Sequence, residues 1–451
     1  EVSVSRPALA FTLAVTVLAG VAMGLAPALQ TLPSSLDSTL RASDRSSTSG
    51  SGMALGRRWL VVGELALSVA LVTAAGLLLR SYAELRQIRL GFHSDGVLAV
   101  DVTLPEAAYN DPARTTHFYR QLREQLSARP SVLSAGLVSD IPLRSWPSPD
   151  DIRIEGRPEP APGEQGYNAG FYMISPGFRE TLRIPLVQGR DLNDGDVEGA
   201  ARVALVNAAA ARAFWPGETA LGRRIRYYGA DSGWITVVGI VGDTRYRQVD
   251  EEPRPAIYTA HAQLPRRGSN PGHAMTLVVR SDGNPESVMP AIREIVGTLD
   301  PEVPLASVTT MDEVVGGALG RPRFAMVLMS FFAGAALLLG ALGIYGVVSF
   351  MVQQRTREIG IRVALGANPW QVRKLVMRES VQLLLVGAGL GLALTLALGR
   401  TISSLLYGVS AIDPITLVAV VPLLALVVML ASYLPARRAT GVDPLIAVRA
   451  E

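Results

Sequence analysis

Apolar residues in this chain are gathered into five runs. Each is long enough for a helix to cross the hydrocarbon core of a bilayer, which takes about 20 residues. They are Pro7–Leu29, Trp59–Leu79, Phe324–Val352, Val381–Leu398 and Pro414–Leu434. Glu64 is the only acidic residue inside any of them, and it falls near the start of its run, where headgroups can hydrate it. Five such runs favour spanning helices over buried core helices of a large soluble protein. The first run lacks a clear basic n-region and is long for a signal-peptide core, so it reads as a true span.

Loop charge orients these helices, because basic residues concentrate on the cytoplasmic side. The 353–380 loop carries Arg355, Arg357, Arg362, Arg373, Lys374 and Arg378 against Glu358 and Glu379. The linker before the second run and the tail after Leu434 also have a basic excess, whereas the turn before Pro414 has only Arg400 and Asp413. The expected organisation is a span at 1–30, a cytoplasmic flexible linker at 31–57 and a second span at 58–80. An extracytoplasmic domain follows at 81–320, then a span at 321–352, a cytoplasmic loop at 353–380, two spans within 381–434 and a cytoplasmic tail at 435–451. Arg80, Arg86 and Arg89 sit on the wrong side of the second span for the charge rule, which long translocated domains obey weakly.

The outer region has ordinary soluble composition. Two stretches read strand–helix–strand: Val97–Thr103, Pro112–Arg129 and Val132–Ser139, then Met275–Arg280, Glu286–Leu299 and Val303–Val308. Such units can pair into one α+β layer. Further strands at Arg202–Val206, Arg224–Tyr228 and Trp234–Val241 predict a second subdomain inserted in the first. The fold class expected is therefore membrane α-helical, with five transmembrane helices and one large extracytoplasmic α+β domain of two subdomains.

Composition narrows the chemistry. The 451 residues are 49% hydrophobic and 18% charged, which excludes a disordered chain. There are no cysteines, so thiol catalysis and Cys-based metal sites are excluded. Lys374 is the only lysine, and no basic run with interleaved aromatics points to nucleic acid. His93, His117, His261 and His273 lack ligand spacing, so no metal site is expected. Asp150-Asp151 and Glu251-Glu252 read as solvated loop charge. No Gly-x4-Gly-Lys-Ser/Thr occurs, so these residues cannot cradle ATP by a P-loop. No catalytic residues and no cofactor are assigned.

Glycines suggest close helix approach. Gly340, Gly343 and Gly346 recur at three-residue spacing in the third span, and Gly387 and Gly391 lie in the fourth. The glycine abundance usual in spanning helices accounts for the stripe equally well. An internal repeat is also visible. Ala26-Pro27-Ala28 overlays Leu434-Pro435-Ala436, and Arg41-Ala42 and Arg449-Ala450 each begin fourteen residues after the proline. With a first residue that is not Met, this suggests that residues 1–45 end an upstream copy and that the complete unit is 55–451.

The most informative stretch is Arg355-Thr356-Arg357-Glu358-Ile359-Gly360-Ile361-Arg362-Val363-Ala364-Leu365-Gly366-Ala367, followed by Asn368 and Pro369, which suits the first turn of a new helix. Composition alone would make it a positive-inside loop with an interfacial amphipathic helix. The string Arg-Glu-Ile-Gly-Ile-Arg-x-Ala-Leu-Gly-Ala closely resembles the cytoplasmic loop of MacB-like and FtsX-like ABC permeases. Gly91-Phe92, Gly189-Arg190-Asp191, Val238-Gly239-Ile240-Val241-Gly242-Asp243 and Pro435-Ala436-Arg437-Arg438-Ala439 also look like family signatures. The order of one span, a large outer domain and three further spans is that family's order, and the upstream fragment resembles a tandem permease.

The resemblance implies a noncatalytic membrane subunit of the bacterial inner membrane, with its large domain in the periplasm. An ATPase partner binds the ATP and docks on the loop around Arg357–Ala367. Ile359, Gly360, Ile361, Leu365, Gly366 and Ala367 suit insertion into a groove. Arg355, Arg357 and Arg362 suit acidic rim residues, and Glu358 a basic residue or the local turn. A second permease unit, either the upstream repeat or a homodimer mate, completes the pathway, and a periplasmic adaptor or outer-membrane channel fits an exporter. Cargo of macrolide, peptide or lipoprotein type is compatible. The alternative is an FtsX-like regulator that carries nothing and activates an extracytoplasmic hydrolase. The outer domain is larger than FtsX-like ones, which favours export. A membrane enzyme is a third reading, which no catalytic constellation supports.

Overall fold

The computed structural model describes residues 10, 13–14, 16–17, 21, 49–144, 149–158, 166–227, 233–263, 272–355, 358, 368–403, 406–410 and 412–439. Most of the expected first span, the linker through residue 48 and most of the repeat and tail positions lie outside them. Two compact units are distinguished. One comprises residues 68–337 and 391–424, the other residues 1–67, 338–390 and 425–451.

Among the described residues, four helices are long and apolar enough to cross a membrane. They are α1 (Ser49–Gln87), α7 (Gly320–Gln354), α8 (Pro369–Ser403) and α9 (Pro414–Ala439). Helix α1 corrects two boundaries. It begins inside the stretch read as a flexible linker to residue 57, and it runs past the expected end at residue 80. The extension Ser81–Gln87 holds Ala, Glu, Leu, Arg and Gln, which are good helix formers and continue the helix beyond the apolar run. Likewise, residues 369–380 belong to the same continuous helix as the fourth span and form no separate interfacial helix. Asn368 starts that helix: its side-chain oxygen accepts the Trp370 N–H at 3.0 Å, with Pro369 in the first turn.

The larger unit holds an 11-stranded sheet in the order β11-β1-β10-β2-β4-β3-β7-β8-β6-β9, with β5 paired to β8. The two strand–helix–strand stretches pair with each other. Strand β10 (Ala274–Ser281) lies antiparallel between β1 (Val97–Thr103) and β2 (Val132–Val138), and β11 (Leu305–Thr310) flanks β1. Helices α2 (Pro112–Ser127) and α5 (Met289–Leu299) cover one face, where Leu98, Val100 and Val102 meet Phe118, Leu122, Leu126, Ile292 and Ile295. Val97 and Ala99 point to the other face and are equally buried, against Phe92, Phe178 and Met311. Both faces are covered, so β1 reads as a nearly unbroken apolar run rather than an alternating one. The beginning of the expected second helix is a short 3-10 turn, Pro285–Val288, with Asn284 as its cap.

The remaining strands are β3 (Asp150–Ile154), β4 (Tyr167–Ile174), β5 (Leu186–Gly189), β6 (Val203–Asn207), β7 (Arg224–Tyr227), β8 (Ile235–Val241) and β9 (Ala256–Ala260). Because β4 also pairs in parallel with β9, pairings run around a circuit β4-β3-β7-β8-β6-β9 and return to β4. The circuit leaves little free edge to aggregate. Its core is Ile152, Ile154, Val206, Phe214, Trp215, Ile225 and Ile257. Asp150 and Asp151 belong to β3, which corrects their reading as loop charge.

The short signature strings meet in space. Gly91 has φ +82°, and a Cβ there would drive into the Asp243 carbonyl oxygen. A Cβ on Gly239 would likewise strike the Arg190 carbonyl oxygen. Arg190 holds Asp196 through two bonds of 2.8 Å, and Arg179 Nε holds Asp191 at 2.6 Å. The buried Arg280 side chain then ties the entry of the domain to its body, donating to the Thr181, His93 and Asp95 carbonyls. At the exit, Thr310 and Glu313 form a capping box on α6 (Met311–Ala318). Ser94 on the entry segment donates to Asp312 on that helix at 2.5 Å.

Gly91→Ala is expected to destabilise the sheet domain by more than about 1–3 kcal/mol, because a positive φ and a backbone clash coincide. Thermal unfolding of the detergent-solubilised chain reads this directly, and an unchanged midpoint would refute the close approach. A second expectation concerns acid. His261 lies edge-on to the buried Tyr119 ring at 5.2 Å, and burial pulls its imidazole down to about 4. The unfolded chain therefore binds a proton that the fold does not, so stability falls as pH drops from about 6.5 to about 4. His261→Gln should flatten that slope in urea titrations across the window, and an unaltered slope would exclude His261 as its source.

Candidate functional site

Of the residues singled out for coupling, Arg355 and Glu358 are among the described residues, both in the smaller unit. Arg355 follows α7, with its N–H bonded to the Met351 carbonyl at 3.1 Å. Its guanidinium donates to Glu379 Oε1 at 2.9 Å, and Arg58 Nη2 reaches Glu379 Oε2 at 3.1 Å. Glu379 is thus bracketed by two arginines, one from α1 and one from the end of α7. Both arginines are about half-exposed, so the pairs contribute little stability individually, on the order of 0–1 kcal/mol. Their geometric effect is larger, since one carboxylate sets the positions of three chain segments. Glu358 is exposed and helical. Arg357, Ile359, Gly360, Ile361, Arg362, Leu365, Gly366 and Ala367 lie outside the described residues. Trp370, on the first turn of α8, is 64% exposed.

Below this end the helices approach closely. Gly343 of α7 lies against the Glu64 carboxylate of α1, and a Cβ there would also come within 3.4 Å of a Val61 methyl. Glu64 thus lies near the start of the Arg58–Gln87 span, as its sequence position implied, and against another helix. A Cβ at Gly387 of α8 would fall 2.7 Å from Leu65 Cβ and 3.4 Å from the Val62 carbonyl oxygen. Gly346 is different: it is exposed, and a Cβ there meets open space. Gly340 is buried. Ser380 and Ser432 are buried and joined at 2.9 Å, and Arg438 donates to the Tyr345 hydroxyl at 3.0 Å.

In the larger unit, Gly391 is buried, and its carbonyl accepts the Thr395 hydroxyl at 2.8 Å. Arg80 pairs with Asp413, which caps α9 through the Thr416 N–H at 2.9 Å and its hydroxyl at 2.7 Å. The Thr416 hydroxyl, then its N–H and Arg80, hold the Asp413 carboxyl below its usual range against the opposing cost of burial. The basic residue that broke the charge rule is thus neutralised by its own acid. Ser81 Oγ accepts the Tyr407 N–H at 2.8 Å beside it. Among the described residues no three His, Cys, Asp or Glu side chains gather as a metal site.

Sequence reasoning missed Glu379 and Arg58 as partners. The available signal was a carboxylate sharing one helix face with Val372, Leu375 and Val376, a position that demands a counter-charge.

Comparison with known proteins gives this arrangement a context. Residues 61–295, just over half of the chain, match the MacB-like periplasmic core domain, and residues 330–444 match the FtsX-like permease C-terminal region. The pyoverdine export ATP-binding/permease protein PvdT of Pseudomonas syringae pv. tomato is 26% identical over 283 residues, covering 61% of this chain and 42% of that protein. The macrolide export ATP-binding/permease protein MacB of Hahella chejuensis is 33% identical over 126 residues, 28% of this chain and 19% of its own. The chain thus spans about 42% of the length of PvdT. The periplasmic region of MacB from Actinobacillus actinomycetemcomitans aligns with a TM-score of 0.34 at 16% identity, covering 51% of this chain and 95% of that one.

Close packing at Gly387 has a measurable consequence. Gly387→Val should cost about 1–3 kcal/mol of stability through overpacking against Leu65. Gly346→Val should stay within about 0.5 kcal/mol, because its side chain enters open space. Detergent thermal melts of the two variants side by side test this, and equal effects would refute the asymmetry.

Proposed function

This chain belongs to the family of permeases with a MacB-like periplasmic core domain and an FtsX-like C-terminal region, and from that premise we propose that it is the membrane subunit of an ABC exporter. The observation that carries the proposal is the order of its parts. One long apolar helix leads into the matched core domain, and three further apolar helices follow within or beside the FtsX-like region. Inner-membrane localisation, with the core domain in the periplasm, goes with that order. The relatives are named as export proteins for pyoverdine and macrolide, which supports outward cargo movement over an FtsX-like regulatory role.

In this reading an ATPase partner docks on the Arg355–Ala367 loop, and ATP binding draws two such partners together. The Arg58–Glu379–Arg355 cluster joins α1 to the loop's two flanking helices, so displacement of the loop is passed to the helix that enters the core domain. A second permease unit supplies the other half of the pathway.

Charge reversal of the loop tests the docking role. Arg357→Glu with Glu358→Arg should reduce stimulation of a co-purified ATPase by tenfold or more while leaving membrane insertion intact, an effect on the order of one or two lost charged contacts. Turnover measured in proteoliposomes gives the result, and undiminished stimulation would remove the loop from the docking surface.

A further inference from the structure

The export reading assigns no role to a cleft between strands β3 and β7 of the sheet domain. Arg153, Arg157 and Arg226 line it together with Tyr167 and Trp234, and no carboxylate is among its described lining residues. Arg153 and Arg226 are direct cross-strand partners, so two like charges emerge side by side on one face of the sheet. Such a pair is unfavourable by itself. Aromatic rings lie beside two of the guanidinium groups. The Arg226 guanidinium lies 4.8 Å from the centroid of the Trp234 ring. The Arg157 guanidinium lies 5.3 Å from that of Tyr167, whose hydroxyl it also contacts at 2.8 Å.

Nearby arginines outside the cleft are treated differently. Arg224 is paired with Glu155, and Arg223 with Glu218. Neither Arg157 nor Arg226 forms an ion pair among the described residues, although both are half-buried. Contact with the aromatic rings restrains the two guanidinium groups and leaves further N–H donors available, an arrangement that suits oxyanion recognition.

We propose that this cleft binds the phosphate group of an extracytoplasmic ligand. A dianionic, tetrahedral phosphate accepts hydrogen bonds in several directions and can answer both the Arg157 and the Arg226 guanidinium groups. A carboxylate offers two oxygens in one plane and satisfies a single fork. The phosphate is either a free ion or a phosphomonoester carried on a larger molecule such as a lipid headgroup. The binding chemistry is the same for both, and it is independent of whether the chain exports cargo.

Isothermal titration calorimetry on the full chain in a nonionic detergent provides the test, with inorganic phosphate in one arm and glycerol 1-phosphate in the other. Binding in the millimolar range or tighter is expected in at least one arm. Tighter binding of inorganic phosphate identifies the free ion, and tighter binding of glycerol 1-phosphate identifies a carried phosphomonoester. Arg157→Gln with Arg226→Gln should weaken that binding at least about tenfold, the scale of lost charged hydrogen bonds. Arg223→Gln, outside the cleft and paired with Glu218, should leave it within about twofold. Arg226→Lys, which keeps the charge but loses the planar fork, should fall between. If the double variant does not fold, the two single Gln variants carry the same comparison. No heat in either arm, or binding that the cleft substitutions leave unchanged, overturns the site.

Discussion

Hydrocarbon offers no hydrogen bonds, so every polar group carried into it must find a partner within the protein. The spanning helices meet that demand first through their own backbones and then side chain by side chain. Thr73 returns its hydroxyl to the Val69 carbonyl, Thr395 to Gly391, and Ser432 to Val428, each one helical turn back. Ser68 donates instead across helices to the Ala336 carbonyl at 2.8 Å. With lipid as apolar as leucine, burial of apolar surface no longer drives helix association, and close packing and such polar contacts take over. That is why Gly343 and Gly387 matter where they touch α1, while Phe324, Leu339, Leu385 and Val418 remain exposed without penalty.

The sheet domain obeys the opposite solvent. Here apolar burial dominates, and the backbone is satisfied by pairing. The circuit through β4, β3, β7, β8, β6 and β9 brings together segments distant in sequence, and its tight corners explain why short strings of glycine and charge recur there. Gly91 admits the Asp243 backbone, Gly239 admits that of Arg190, and Arg190 then anchors the Asp196 turn. Arg280, Ser94 and Asp312 tie the segment entering the domain to the helix leaving it, so the domain is held at its two connections by the same few contacts.

Charge in this chain acts more by placing segments than by adding stability. Glu379 draws arginines from α1 and from the end of α7, and Asp413 draws Arg80 of α1 while it caps α9. Exposed pairs of this kind contribute little energy. They do restrict which helix faces which.

Much of the architecture was legible without coordinates. A run of some twenty apolar residues can be satisfied in few ways, so the spans at 59–79, 324–352, 381–398 and 414–434 emerge from hydropathy alone. Strands such as Val97–Thr103 follow from their β-branched runs, and the loop string 355–367 points to the family. Strands β3, β4, β5 and β9 were not legible. Asp150-Asp151 is polar, Tyr167–Ile174 contains Asn and Gly, Leu186–Gly189 is exposed, and Ala256–Ala260 is short. These strands exist because distant neighbours supply their hydrogen bonds, and a linear pattern carries no record of a partner fifty or a hundred residues away. For the same reason sequence alone marked Glu64 and Arg80 as anomalies of charge and missed Glu379. Only the tertiary structure decided that Glu64 lies against Gly343, that Arg80 rests on Asp413 and that Glu379 rests on a pair of arginines, because such partners are found across space and not along the chain.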